Sequence, residues 1–186
     1  MLQQTQVVRV EEYYRRFLRR YPTIEDLAAA RPGHVRDAWA GLGYYARARN
    51  LHAAAREVVR TYDAVVPAEP ALLARLPGIG RYTAAAVASI AFGQDVGTVD
   101  TNVARVLGRA FRLRGPRGSS ARAKAVWRLA HCLVPPGRAG DWNQALMDLG
   151  ATLCTARTPQ CERCPVRRAC ITGLRRVTTL RGRRSP

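Results

Sequence analysis

The chain has 186 residues, 47% of them hydrophobic, which suffices for a buried core and excludes a disordered polypeptide. No uninterrupted apolar run is long enough to cross a bilayer, and the opening MLQQTQVVRV places glutamines where a secretion signal needs apolar residues. A cytoplasmic chain with no membrane partner is therefore expected. Its 31 Lys+Arg against 13 Asp+Glu give a net charge of +18 and a pI of about 11.2, which points to a polyanion, nucleic acid before a membrane surface.

In chain order the pattern is helix after helix. Residues 6–20 carry Val7, Val10, Tyr14, Phe17 and Leu18 at helical spacing. Thr23 reads as an N-cap with Glu25 and Asp26 in the first turn that follows. A short helix is predicted over 34–40, ended by Gly41, and a long one over 45–60 with Leu51, Ala55, Val58 and Val59 inward. Another spans 69–75. The next, 81–92 (RYTAAAVASIAF), is apolar enough to predict burial nearly all round. Helices over 101–112, 120–133 and 142–153 follow, with Asp100, Ser119 or Ser120, and Asp141 as N-caps. Strand alternation is absent, so the expected class is all-α. A basic tail, RRVTTLRGRRSP, closes the chain.

Five cysteines without a secretion signal point away from a disulfide framework. Cys154, Cys161, Cys164 and Cys170 form a C-x6-C-x2-C-x5-C array directly after a helix. Four thiolates suit a tetrahedral Zn²⁺ or a [4Fe–4S] cluster equally on ligand count. Zinc sites usually pair two short knuckles, and only Cys161–Cys164 is one, which leans the spacing toward a cluster. Cys132, apart from these inside a helical pattern, reads as a core thiol.

LPGIGRYTA at 76–84 joins two predicted helices. Pro77 stops the first, and Gly78 and Gly80 permit a tight turn that leaves N–H groups at the start of the next. Such a helix N-terminus binds phosphate without side-chain charge. A G-x-G alone is also compatible with a plain glycine turn. Leu76, Ile79 and Arg81 around it favour a helix-hairpin-helix clamp on a DNA backbone. Asp100 in TVDTNVARV is first of all an N-cap. A carboxylate held there can also stabilise a developing cation if water is kept away.

Together, MLQQTQV, GLGYYARARNLH, LPGIGRYTA, VDTNVARV, NQALMDLGA and the cysteine array resemble the MutY-type adenine DNA glycosylases of the helix-hairpin-helix superfamily that includes endonuclease III. The resemblance runs from Met1 to about Cys170. It implies a two-lobed all-α fold, with 1–96 a helical-barrel lobe holding the hairpin, 97–175 a cluster-bearing lobe, and 176–186 a tail. It also implies removal of adenine mispaired with 8-oxoguanine or guanine in double-stranded DNA by a nucleoid-associated monomer. By the same resemblance Cys154, Cys161, Cys164 and Cys170 hold a [4Fe–4S] cluster, Asp100 stabilises the oxocarbenium-like sugar and Asn102 orients it. Gln4 and Tyr44 match residues wedged into the base stack, and Leu2, Gln144 and Met147 match the wall of the adenine pocket. DNA contacts fall to the hairpin's Gly78, Gly80 and Arg81. Phosphate contacts are also expected as a group from Arg47, Arg49, Arg157, Arg163, Arg167 and Arg168.

Position 82 separates relatives. Endonuclease III has a lysine there, an amine that forms a Schiff base and cleaves the strand. This chain has Tyr82, placed to position Asp100 or the sugar or simply to pack. Its sole lysine, Lys124, lies in another predicted helix, so lyase chemistry is not expected. A mismatch thymine glycosylase shares the Tyr82 feature, but GLGYYARARNLH and NQALMDLGA favour the adenine branch.

Two departures stand out. The family's general acid is a glutamate two residues ahead of the motif methionine, and this sequence begins at that methionine. Glu11 and Glu12, the first carboxylates, lie roughly 15 Å or more further along an ideal helix and do not replace it. Either the sequence starts at an internal methionine, which the otherwise intact motifs favour, or the polypeptide is a mispair-binding module that excises nothing. The chain also ends soon after the cysteines, without the further domain by which many relatives read 8-oxoguanine, so weak discrimination against plain guanine is expected.

Overall fold

A computed structural model describes residues 1, 5, 7–116 and 118–174. Among these residues there are helices and no strands, and the chain divides into two compact units, Met1–Arg81 and the part from Tyr82 onward. No described helix is long and apolar enough to cross a membrane.

The first unit contains α1 (Val7–Arg20), α2 (Ile24–Ala29), α3 (Pro32–Ala38), α4 (Ala46–Thr61) and the single turn α5 (Pro70–Leu73). Phe17 on α1 sets its ring edge-on to Tyr21 and Trp39, with centroids 5.0 and 5.9 Å away. Val10, Leu27, Val35, Leu42, Ala48 and Ala55 complete this core. Thr23 is the expected N-cap and makes a full capping box: its hydroxyl accepts from the Asp26 N–H at 3.1 Å, and the Asp26 carboxylate accepts from the Thr23 N–H at 3.2 Å. The α3 helix starts earlier than expected because Pro32 occupies its first position, where the missing N–H costs nothing. On α4 the inward stripe is Ala48, His52, Ala55 and Val58, and Leu51 faces outward.

The second unit contains α6 (Arg81–Ala91), α7 (Thr101–Ala110), α8 (Ser120–Cys132) and α9 (Ala139–Thr152), then 3₁₀ turns at Cys161–Arg163 and Arg167–Ala169. Helix α7 packs on both α8 and α9 around Val103, Val106, Leu107, Val126, Ala130, Leu146 and Leu149. Asp100 and Ser119 cap α7 and α8 as predicted.

Three expectations fail in this unit. Helix α6 is not buried all round: Ala84, Ala85, Ala88 and Ser89 face inward while Tyr82, Ile90 and, just past its end, Phe92 are exposed. Alanine adds to apolar composition without enough side chain to demand burial. Cys132 is exposed, because it lies two residues beyond Ala130 and so off the stripe that Val126 and Ala130 define. Helix α9 begins at Ala139, leaving Asp141 inside its first turn, paired with Arg138 at 3.1 Å. The earlier start follows the left-handed Gly137 (φ +71°), whose N–H donates to both oxygens of Asp95 at 2.9 and 3.0 Å.

Candidate active site

Asp100 enters α7 in extended conformation, and its carboxylate is held by two donors. One oxygen accepts from the Val103 N–H at 2.7 Å, the other from the Asn102 amide at 3.0 Å. The Asn102 oxygen accepts in turn from Arg105 at 2.7 Å. The same guanidinium donates to the carbonyls of Gly150 at 2.7 Å and Cys154 at 2.8 Å. Asn102, Arg105 and Arg109 share one face of α7 because they are spaced three and four residues apart. A half-buried carboxylate at a helix N-terminus, with both oxygens oriented, is an anion placed to face positive charge.

That face of α7 meets α9 closely. A Cβ at Gly150 would come within 2.6 Å of the Asn102 Cβ, so the glycine of NQALMDLGA is required by packing. One turn earlier, Met147 Sδ accepts from the Tyr82 hydroxyl at 3.4 Å. Burial pushes the Tyr82 phenol above its ordinary pKa, and the charge of Asp100 adds to this. Tyr82, Asp100, Asn102 and Met147 therefore form one cluster. Gln144 is exposed on α9 and donates to the Gly140 carbonyl at 3.3 Å. Lys124 is exposed on α8.

Other predicted residues belong to the first unit. Tyr44 is 62% exposed with φ of +48°, the left-handed region that side-chain-bearing residues rarely adopt. Arg47 lies under it, 5.4 Å from the Tyr44 ring centroid and 5.5 Å from that of Trp39. Its guanidinium donates to the carbonyls of Met1, Leu42 and Gly43 and to the Thr5 hydroxyl. This inward binding departs from the phosphate role expected of Arg47; Arg49 is exposed as expected. In the hairpin turn Gly78 has φ of +76°, and its missing Cβ leaves room for Asn50, which would otherwise stand 2.5 Å away. Gly80 faces open space, so nothing in its packing requires glycine. Arg81 is exposed at the first residue of α6. Leu2 and Gln4 lie outside the described residues.

Cys154, Cys161, Cys164 and Cys170 line a single cavity with Val106, Leu149 and Leu153, and all four are unbridged thiols. Arg109 donates to the Cys154 Sγ at 3.3 Å, and the Gly173 N–H to the Cys170 Sγ at 3.3 Å. Arg109 also donates to the carbonyls of Cys154, Thr155 and Ala156, at 3.2, 2.7 and 2.9 Å. Burial raises the Cys164 thiol pKa, a backbone hydrogen bond from Val166 opposes this, and Cys154, Cys170 and Cys161 raise it further. Four thiols around one space, two of them receiving hydrogen bonds, fit a thiolate-held metal group. Among the described residues no three Cys, His, Asp or Glu groups are disposed to hold a single ion. Sequence reading missed Arg105, Arg109 and Gly150. The i, i+3, i+7 spacing from Asn102 marks the two arginines as neighbours, but nothing local says that the carbonyls of another segment receive them.

The all-helical fold, the glycine turn before α6 and the oriented Asp100 together define a class. The family model described as HhH-GPD superfamily base excision DNA repair protein matches residues 1–131, and the chain belongs to that superfamily. It is 50% identical over 171 residues to the adenine DNA glycosylase of Homo sapiens, covering 91% of this chain and 31% of the relative. The first relatives matched are thus about three times as long as this chain. Among solved structures it is similar to a thermostable thymine-DNA glycosylase (TM-score 0.83, 34% identity, covering 94% of this chain and 80% of that one). It is also similar to endonuclease III in a trapped covalent DNA complex (TM-score 0.77, 28% identity, the same coverages).

Proposed function

We propose that the chain is the catalytic part of a monofunctional DNA glycosylase that hydrolyses the N-glycosidic bond of adenine mispaired with 8-oxoguanine or guanine. The observation that carries this reading is the Asp100 carboxylate, oriented by Asn102 and the α7 N-terminus beside a tyrosine instead of an amine. The target nucleotide leaves the stack, at a cost of about a few kcal/mol that is least at a mispair. As the glycosidic bond stretches, Asp100 faces the positive charge growing on the deoxyribose. Asn102 keeps one carboxylate oxygen turned to it, and Tyr82 remains neutral, a hydrogen-bond donor and not a nucleophile. Gln144 and Met147 on α9 belong to the adenine pocket, and Tyr44 is the wedge, held upright by the Arg47 stack. The names of the curated relatives support adenine release over thymine release, and the tyrosine at position 82 supports it over strand cleavage.

In this reading Cys154, Cys161, Cys164 and Cys170 hold a [4Fe–4S] cluster. The spacing, in which only Cys161 and Cys164 form a short knuckle, and the shared cavity of the four thiols support a cluster over Zn²⁺. When bound, the cluster would supply iron–thiolate bonds that tie the end of α9 to the loop after it. Arg109 and the Gly173 N–H hold the sulfur lone pairs of Cys154 and Cys170 in place.

The test is single-turnover adenine release from duplexes carrying A opposite 8-oxoguanine or guanine, by the chain extended to carry the family's glutamate ahead of Met1 and by the same protein with Asp100→Asn, with duplex binding measured in parallel. Release by the chain and its loss in the variant are expected. Tight mispair binding with no release by either would assign the second reading, a mispair-binding module.

A further inference from the structure

Among the described residues Asn143 is the largest polar side chain that is fully buried, with 1% of its surface exposed. Its side chain makes three hydrogen bonds to two other segments. The amide nitrogen donates to the Ser89 hydroxyl on α6 at 2.9 Å and to the Val96 carbonyl at 2.8 Å, and the amide oxygen accepts from the Thr98 N–H at 3.1 Å. The directions are self-consistent. The Ser89 hydroxyl donates to the Ala85 carbonyl at 2.8 Å, which leaves its lone pair to accept from Asn143. Flipping the amide would set oxygen against the Val96 carbonyl.

Bonding the carbonyl of residue 96 and the N–H of residue 98 is what a neighbouring strand does to an extended segment. No strand is present among the described residues, so residues 94–100 would otherwise run to α7 with few backbone partners. One carboxamide supplies that pairing. On the other side Gly97 lies against the backbone of Ala130 so closely that a side chain would not fit. Thr98 is fully buried, and two residues on comes Asp100. Asn143 sits next to Gln144 and one turn before Met147, on the same helix.

We propose that Asn143 is a positioning residue for Asp100. Its buried carboxamide stands in for a strand neighbour of residues 96–98 and sets where the carboxylate stands relative to Gln144 and Met147. The inference rests on the reading of Asp100 given under Proposed function. It adds a residue that touches neither DNA nor the reacting atoms.

The test reads amide hydrogen exchange in the free protein alongside adenine release. The Val103 N–H lies in the first turn of α7 and is protected by the Asp100 carboxylate, so its exchange reports where that carboxylate stands. Asn143→Ala is expected to speed exchange at Thr98 and Val103 roughly 10-fold or more while Leu149 in the same unit stays within about 2-fold. The single-turnover rate is expected to fall about 10-fold or more with duplex affinity little changed. Asn143→Asp supplies a conservative check. A protonated carboxyl can both accept from Thr98 and donate to Val96, whereas the ionised form cannot donate, so protection at Val103 is expected to return as the pH is lowered. This second variant decides the matter if Asn143→Ala does not fold. Unchanged Val103 exchange, or equal acceleration at Thr98, Val103 and Leu149, would overturn the inference. Exchange is read without DNA, so a wild-type chain that releases no adenine would sink the functional reading and leave this one to be judged on its own.

Discussion

The Asn102 amide joins Asp100 to the segment that carries Cys154: it donates to the Asp100 carboxylate at 3.0 Å while its oxygen accepts from Arg105 at 2.7 Å. Because Arg105 also holds the Cys154 carbonyl, the orientation of the carboxylate depends on residues that follow it by about fifty positions.

Asn102→Leu keeps the bulk and removes both bonds. Adenine release is expected to fall about 10- to 100-fold in single-turnover assays, the range found when one oriented polar group is lost from a reacting site. Unfolding free energy is expected to drop by only about 1–2 kcal/mol, measured by urea denaturation.

Arg109→Ala removes the donor shared by the carbonyls of Cys154, Thr155 and Ala156 and by the Cys154 sulfur. A loss of about 2–3 kcal/mol in unfolding free energy is expected. If the four cysteines hold the proposed cluster, its visible absorption should also bleach faster under a chelator. Arg109→Lys should not restore either property, since one ammonium cannot span these acceptors as the planar fork does.

Replacing glycine by alanine inside a helix ordinarily stabilises by about 0.5–1 kcal/mol. At Gly150 the sign should reverse to a loss of about 1–3 kcal/mol, because the new methyl meets Asn102. Gly80→Ala has open space around it and should leave stability within about 0.5 kcal/mol. If the turn's backbone approaches a phosphate as proposed, the variant should still weaken duplex binding. Thermal melts and fluorescence anisotropy separate the two.

Tyr82 has its pKa raised above the ordinary 10.0, first by burial and then by the charge of Asp100. A folded-state pKa above the unfolded one means that the neutral phenol favours folding at every pH below about 10. This contribution is lost as the pH rises through the folded-state value. Stability should fall above pH about 10 less steeply in Tyr82→Phe than in the wild type, as followed by circular dichroism.

With 31 basic residues against 13 acidic ones, duplex binding should weaken steeply with salt. If about four to six phosphates are neutralised, affinity should drop roughly 100-fold or more between 50 and 200 mM. A flat salt response would argue against a phosphate-tracking face.

Much of this protein is legible residue by residue. The capping box at Thr23, the caps at Asp100 and Ser119 and the glycine turn before α6 depend on groups a few positions apart, so local spacing reveals them. Local rules failed where the outcome depended on what lay opposite. The start of α9 was moved by the contact between Asp95 and Gly137, and Cys132 was left exposed by the direction of the α8 stripe. The amino-acid order alone settles that the described chain is helical and roughly where its helices lie, and that it carries a thiol set and an excess of arginine, because these follow from backbone preference, spacing and charge. Only packing decides that Arg105 and Arg109 grip the carbonyls of the cysteine segment, that Gly150 admits Asn102, and that Asn143 replaces a missing strand. Such hydrogen bonds join groups about forty to fifty residues apart, and no local propensity encodes which donor will meet which acceptor once the helices close on one another.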